Sequence, residues 1–322
     1  AGEEARITVE YSIRTSNQVL GREWYPRPAD RPWDRHTARI TVTHPKKIEV
    51  RASGRRESLD EESKPARTVW VVEEPCEAVG FSYGKGFKEV LVERDGLPPV
   101  NSFGTTDGIT IDDVRRNVGR DLLACIAFLE DYLGADSPAD RLLAARVSGF
   151  SQSYLGFVNL GVLAYNRESP GLSQLLRGRE AAAQFWSWTI EWPDYRDQWL
   201  ADALVDFSTL LCIEAGGEHQ GYYDQIIRTF NAQMIPSQKG VSRGMSALLV
   251  MPEFDRVRSP VPTRFLTDSE LLLLPTPRTK VQWEPRHLKD MGPIGLGFRS
   301  SPAEVPCAYS AYNLRRGVLV LH

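Results

Sequence analysis

The chain has 322 residues, enough for two domains and a substantial core. Its 39 Lys and Arg nearly balance 42 Asp and Glu, the formal net charge is -3, and neither Lys nor Arg forms a long run; this argues against a nucleic-acid partner. No apolar run approaches the roughly 18–20 residues of a membrane span and no signal peptide stands at Ala1, so the expectation is a soluble chain of open compartment, either a processed product or a fragment of a larger protein that could be membrane-associated.

Residues 1–105 read as β-structure. Ile7, Val9, Tyr11 and Ile13 alternate, as do Ile40 and Val42, Val69 and Val71, and Val90 and Val92, with turn signals at Ala52-Ser53-Gly54 and Asp95-Gly96-Leu97-Pro98. The pattern predicts an antiparallel sandwich or saddle. The charged stretch Arg55 to Glu62 mixes both signs and reads as a solvated hairpin tip. Cys76, Cys125, Cys212 and Cys307 lie far apart with no C-x-x-C pair, which predicts buried free thiols.

Gly104 to Gly108 reads as a linker, and a second domain is expected over 109–322. Asp112 or Asp113 can cap a long helix whose inner face is Val114, Val118, Leu122, Cys125, Ile126, Leu129 and Leu133, closed by Gly134. Leu142 to Ser148 and Phe157 to Ala164 are strand-like, with Gly149 to Gly156 as the loop between them. Two helices follow. Leu172, Leu175, Leu176, Ala183, Trp186 and Ile190 recur at three- and four-residue steps, and Trp199, Ala203, Phe207 and Leu211 repeat the pattern after a break at Trp192-Pro193-Asp194. Trp186, Trp188, Trp192 and Trp199 suit interhelical packing. Gly216-Gly217 ends the pair, a helix through Tyr222, Ile226, Ile227 and Phe230 is expected, Pro236 to Pro262 reads as a surface excursion, and Leu271 to Leu274 as a buried apolar turn.

Arg179 to Trp188 and Asp197 to Phe207 resemble the helix pair of the gluzincin metallopeptidases, in particular the membrane alanyl aminopeptidase family and its bacterial branch. In that family the first helix carries H-E-x-x-H followed by Gln and aromatics, matched here by Gln184-Phe185-Trp186. The second helix is matched by Trp199 to Phe207, and the third zinc ligand, nineteen positions beyond the second histidine, falls on Asp202. The resemblance implies an α+β fold: part of an N-terminal antiparallel β-sandwich or saddle domain, then a thermolysin-like gluzincin domain. It also implies a zinc cofactor, with Glu180 at the general-base position.

The ligand positions hold Arg179, Ala183 and Asp202. Two histidines at i and i+4 would share a helix face and grip one ion, but alanine has no ligand atom and arginine only donors. The expectation is therefore no metal: Arg179 fills the vacated position as a fixed cation paired with Asp202, Glu180 or both. Without zinc, Glu180 has no acidified water to deprotonate.

Further landmarks resemble the same family. Gly2 to Tyr11, Trp24-Tyr25-Pro26, Thr41 to Gly54 and Phe81-Ser82-Tyr83-Gly84 are similar to the later part of its β domain. Gly156-Phe157-Val158-Asn159 resembles, without its Met or acid, the Gly-x-Met-x-Asn signature before the cleft-edge strand that binds a substrate's amino terminus. Gly292 to Arg299 is similar to a segment preceding the last active-site helix, expected here over Tyr312 to His322. The oxyanion-stabilising tyrosine of that helix falls on Tyr312 or Leu314, depending on the alignment.

Losses at three sites predict a non-catalytic aminopeptidase-like domain used for protein or peptide binding. An active hydrolase with an atypical site built from Glu180 and Asp202 with His219 or His287 is the alternative. A third reading makes the cleft a peptide receptor, in which an edge strand pairs with an extended peptide and Arg179 grips a carboxylate.

Overall fold

The computed structural model describes residues 24–26, 35–104, 112–147, 151–165, 170–190 and 197–216, with Val318, Val320 and Leu321. The expected strands before residue 24 and the expected elements between 217 and 317 lie outside them.

The alternating segments form antiparallel strands. β1 (His36–His44), β3 (Arg55–Asp60) and β4 (Ala66–Cys76) make one sheet in the order β1-β4-β3, while β2 (Glu49–Ala52) pairs with β5 (Phe81–Gly84). Ile40, Val50, Ala52, Trp70, Val72 and Phe81 form one side of a common core. The charged stretch differs from expectation, because Arg55 to Asp60 is an edge strand exposed at every position. Cross-strand pairs Arg39–Glu57 and Arg55–Glu73 hold those charges in register. The turn comes later, where Asp60 Oδ1 accepts from the Glu62 and Ser63 amides at 3.0 Å each.

A mixed sheet follows, in the order β6 (Lys88–Val92), β7 (Val100–Gly104), β8 (Leu142–Arg146), β10 (Phe157–Leu160), β9 (Gln152–Tyr154). β7, β8 and β10 run parallel; β6 and β9 pair antiparallel at the two edges. The helix α1 (Asp112–Leu133) makes the crossover from β7 to β8, and Gly134 closes it at φ +63. The sheet thus crosses the boundary expected at 105–109.

Two readings of the chain change here. The expected loop Gly149 to Gly156 contains β9, and the expected strand Phe157 to Ala164 stops at Leu160, giving way to the helical turn α2 (Val162–Tyr165). Nor is Phe157–Asn159 an edge: β10 lies between β8 and β9. All four of its residues are buried, as a strand covered on both faces requires, and Gly156 at φ +68 turns the chain back so that β9 takes the edge.

The helices α3 (Pro170–Thr189) and α4 (Gln198–Gly216) complete the described fold, which is α+β. On one sheet face Val100, Leu142, Ala144, Val158 and Leu160 pack with α1 and α3; on the other, Phe103, Leu143, Ala145 and Phe157 pack with Trp70, Phe81 and Trp188. The β-rich part meets this second face closely: a Cβ on Gly80 would lie 2.3 Å from the buried Tyr154 ring. Val318, from the helix expected near the end of the chain, is buried against Leu210 and Ile213 of α4. No helix among the described residues is long and apolar enough to cross a membrane.

Candidate functional site

The site is built where α3 passes between β9 and α4. Arg179 projects toward α4, where its Nε donates to Asp206 Oδ1 at 3.0 Å. Its Nη1 stands 3.7 Å from Glu180 Oε1. Asp206 and Glu180 are 14% and 3% exposed at the side chain, so one guanidinium is shared by two largely dry carboxylates. The Asp202 side chain lies outside the described residues; the partner that sequence reasoning missed is Asp206. Its signal was four-residue spacing, since Asp202 and Asp206 fall on one face of α4. Removing the charge of Asp206 takes from the guanidinium the closer of its two carboxylates, and Asp206→Asn is expected to cost about 1–2 kcal/mol in urea unfolding, reduced from a fully buried pair by the 29% exposure of Arg179.

One turn further along α3, Gln184 is fully buried and divides its amide between the sheet edge and its own helix. Its Nε2 donates to Ser153 Oγ at 2.6 Å, Tyr154 O at 3.2 Å and Glu180 O at 3.3 Å, while its Oε1 accepts from Gly156 N at 2.9 Å. Ser153 Oγ also donates to Glu180 O at 3.3 Å and accepts from Trp188 Nε1 at 3.4 Å. The Trp188 ring stacks on Tyr154 with centroids 6.4 Å apart, and Trp186 Nε1 donates to Ser208 Oγ at 2.9 Å. Both indoles therefore serve packing. Sequence reasoning missed β9 and Ser153, whose flanking Gly149 and Gly156 were the available signal.

Gly156, Phe157, Val158 and Asn159 are placed differently from an open substrate strand. The Gly156 amide is held by Gln184, Phe157 to Asn159 pair on both sides, and Asn159 is fully buried. Tyr312, Leu314, His219 and His287 lie outside the described residues, so nothing tests their expected roles.

A zinc ion does not fit the residues that are described. Ala183 is 4% exposed and offers no ligand atom, and Arg179 presents only N–H groups, of which Nε and Nη1 face carboxylates. A guanidinium about 4 Å from a divalent ion would add repulsion of several kcal/mol even at an effective dielectric near 20. Among the described residues no three His, Cys, Asp or Glu side chains are grouped to hold a metal.

No protein-family model and no curated protein sequence matches the chain. Its fold is similar to that of solved M1 zinc metallopeptidases. The enzyme from Deinococcus radiodurans superposes with a TM-score of 0.50 at 20% identity, covering 64% of this chain and 47% of that one. A point mutant of it superposes equally at 19% identity, and a mutant bound to a Tyr-Ser-Ala substrate at 18%, each with a TM-score of 0.50 and the same coverage. At these identities the likeness is one of fold, and the chain spans just under half the length of those enzymes.

Proposed function

We propose that this chain is a non-catalytic, aminopeptidase-like domain of thermolysin-type gluzincin architecture that binds a protein or an extended peptide. The observation that carries this reading is the Arg179–Asp206 ion pair, together with Ala183 one turn on: an organic cation and a methyl group occupy the helix face that a zinc peptidase of the similar fold reserves for ligands. Glu180, at the general-base position, is turned to balancing that cation. The gluzincin-like part runs from β6 onward, a placement supported by the sheet that joins β6 and β7 to β8.

Peptide is the ligand class because β9 is the last strand of the sheet among the described residues and its backbone is fixed to α3 by Gln184, which supports a rigid pairing edge. The ligand of the Deinococcus enzyme, a short peptide, is of the same class. Arg179 sets the preference for a carboxylate-bearing peptide.

Two assays test this. Aminoacyl fluorogenic amides are expected to remain uncleaved with or without added zinc, and acidic members of a peptide library are expected to raise the melting temperature of the wild type but not of Arg179→Ala. Zinc-dependent turnover would overturn the non-catalytic reading; an equal response in both proteins would remove Arg179 from the binding site.

A further inference from the structure

Outside that site, two thiols on different helices meet in the core. Cys125 lies on the inner face of α1 and is 1% exposed; Cys212 lies on α4, half-buried, and packs against the same cluster. The Cys125 side chain stands within hydrogen-bonding reach of Cys212. Close approach is made possible by Gly178 of α3: its carbonyl accepts from Cys125 Sγ at 3.5 Å, and a Cβ there would stand 3.1 Å from Thr209 and 3.8 Å from Cys125 Sγ. The absence of a side chain on α3 lets α1 and α4 face each other.

We propose that Cys125 and Cys212 are a reversible dithiol–disulfide pair, oxidised by peroxide, whose cross-link fastens α4 to α1. The roles of the two sulfurs differ. The hydrogen bond from Cys125 holds the Cys212 thiol below its ordinary range against the opposing effect of burial, whereas that bond and burial together push Cys125 well above it. Cys212 is also the sulfur with solvent access, so it is the first nucleophile. Its thiolate attacks one peroxide oxygen, the O–O bond breaks, and the departing hydroxide takes up a proton as water. Cys125 sulfur then attacks the resulting sulfenic acid; the S–S bond forms, and the leaving hydroxide carries off the Cys125 proton as a second water. Two electrons leave the thiols and reduce one peroxide to two waters.

The bridge would close a chain segment containing α3, β8, β9 and β10, and it would hold the helix that carries Asp206. A rise in melting temperature of several degrees is expected on oxidation. The test is to treat the native chain with hydrogen peroxide, block remaining thiols and map the peptides by mass. The expected product is a peptide linking α1 to α4, shorter by two hydrogens, reversed by dithiothreitol, absent from Cys212→Ser and retained in Cys76→Ser. Cys125 and Cys212 recovered separately blocked, or Cys212 joined instead to Cys307, would overturn the proposal. If Cys212→Ser fails to fold, Cys212→Ala and the wild-type map alone still decide it.

Discussion

Replacing Arg177 by alanine is expected to lower the unfolding free energy by about 3–5 kcal/mol in chemical denaturation, the range for breaking one side of a buried ion pair. Arg177 sits on α3 at 4% exposure, with Nη1 donating to Asp121 of α1 and Nε to the carbonyl of Ala164 in α2. Burial lowers its basicity and Asp121 offsets this only in part, yet an arginine keeps its proton across the accessible pH range. One side chain therefore ties three helices, and its loss takes a buried guanidinium away from a carboxylate that is only 24% exposed. Arg177→Met, which refills the volume, should recover little, whereas combining it with Asp121→Asn should recover more. A double-mutant cycle in which the two effects simply add would show that the pair contributes no coupling.

Gln184→Ala is expected to cost about 3 kcal/mol and to loosen the sheet edge. The residue makes four hydrogen bonds in a place closed to water, and its removal leaves the Gly156 amide and the Tyr154 carbonyl short of partners, each worth roughly 1–3 kcal/mol when unsatisfied. Gln184→Glu makes the test sharper. A carboxylate can still accept from Gly156 but cannot donate to Ser153, Tyr154 or Glu180, and it places a buried charge beside two carbonyls. It should therefore be no better tolerated than alanine. Amide exchange across residues 152–156 should accelerate in both variants while the inner strand β8 stays protected; unchanged exchange at β9 would mean that Gln184 does not hold the edge.

What could be read from the sequence was governed by how local its cause is. The helix α1 was legible because seven inner-face residues at helical spacing and a terminal Gly134 agree. β1, β4 and β6 were legible from apolar residues at two-residue spacing between turn signals. β9 was not: three residues supply little more than one period of a strand, and what fixes them is Gln184, thirty residues later in the chain. The pairing of β7 with β8 was equally invisible, since parallel strands joined through a helix leave no mark at the point of contact. The charged strand β3 shows the opposite failure, in which composition points to a turn but cross-strand ion pairs extend the strand.

The candidate site divides the same way. Arg179 as a fixed cation follows from chemistry alone, because a guanidinium neither ligates a metal nor loses its charge. Its partner does not follow: Asp202 and Asp206 are one helical turn apart, and only the relative placement of α3 and α4 brings Asp206 to Arg179 at 3.0 Å.

Zinc content, measured by mass spectrometry of the ions carried by protein purified without chelator and then dialysed against a micromolar zinc buffer, is the most direct test of that substitution. Far less than one equivalent per chain is the expected result, unchanged in Asp202→Asn. One tightly held equivalent, lost in Asp202→Asn, would contradict it and return the chain to the metallopeptidases its fold resembles.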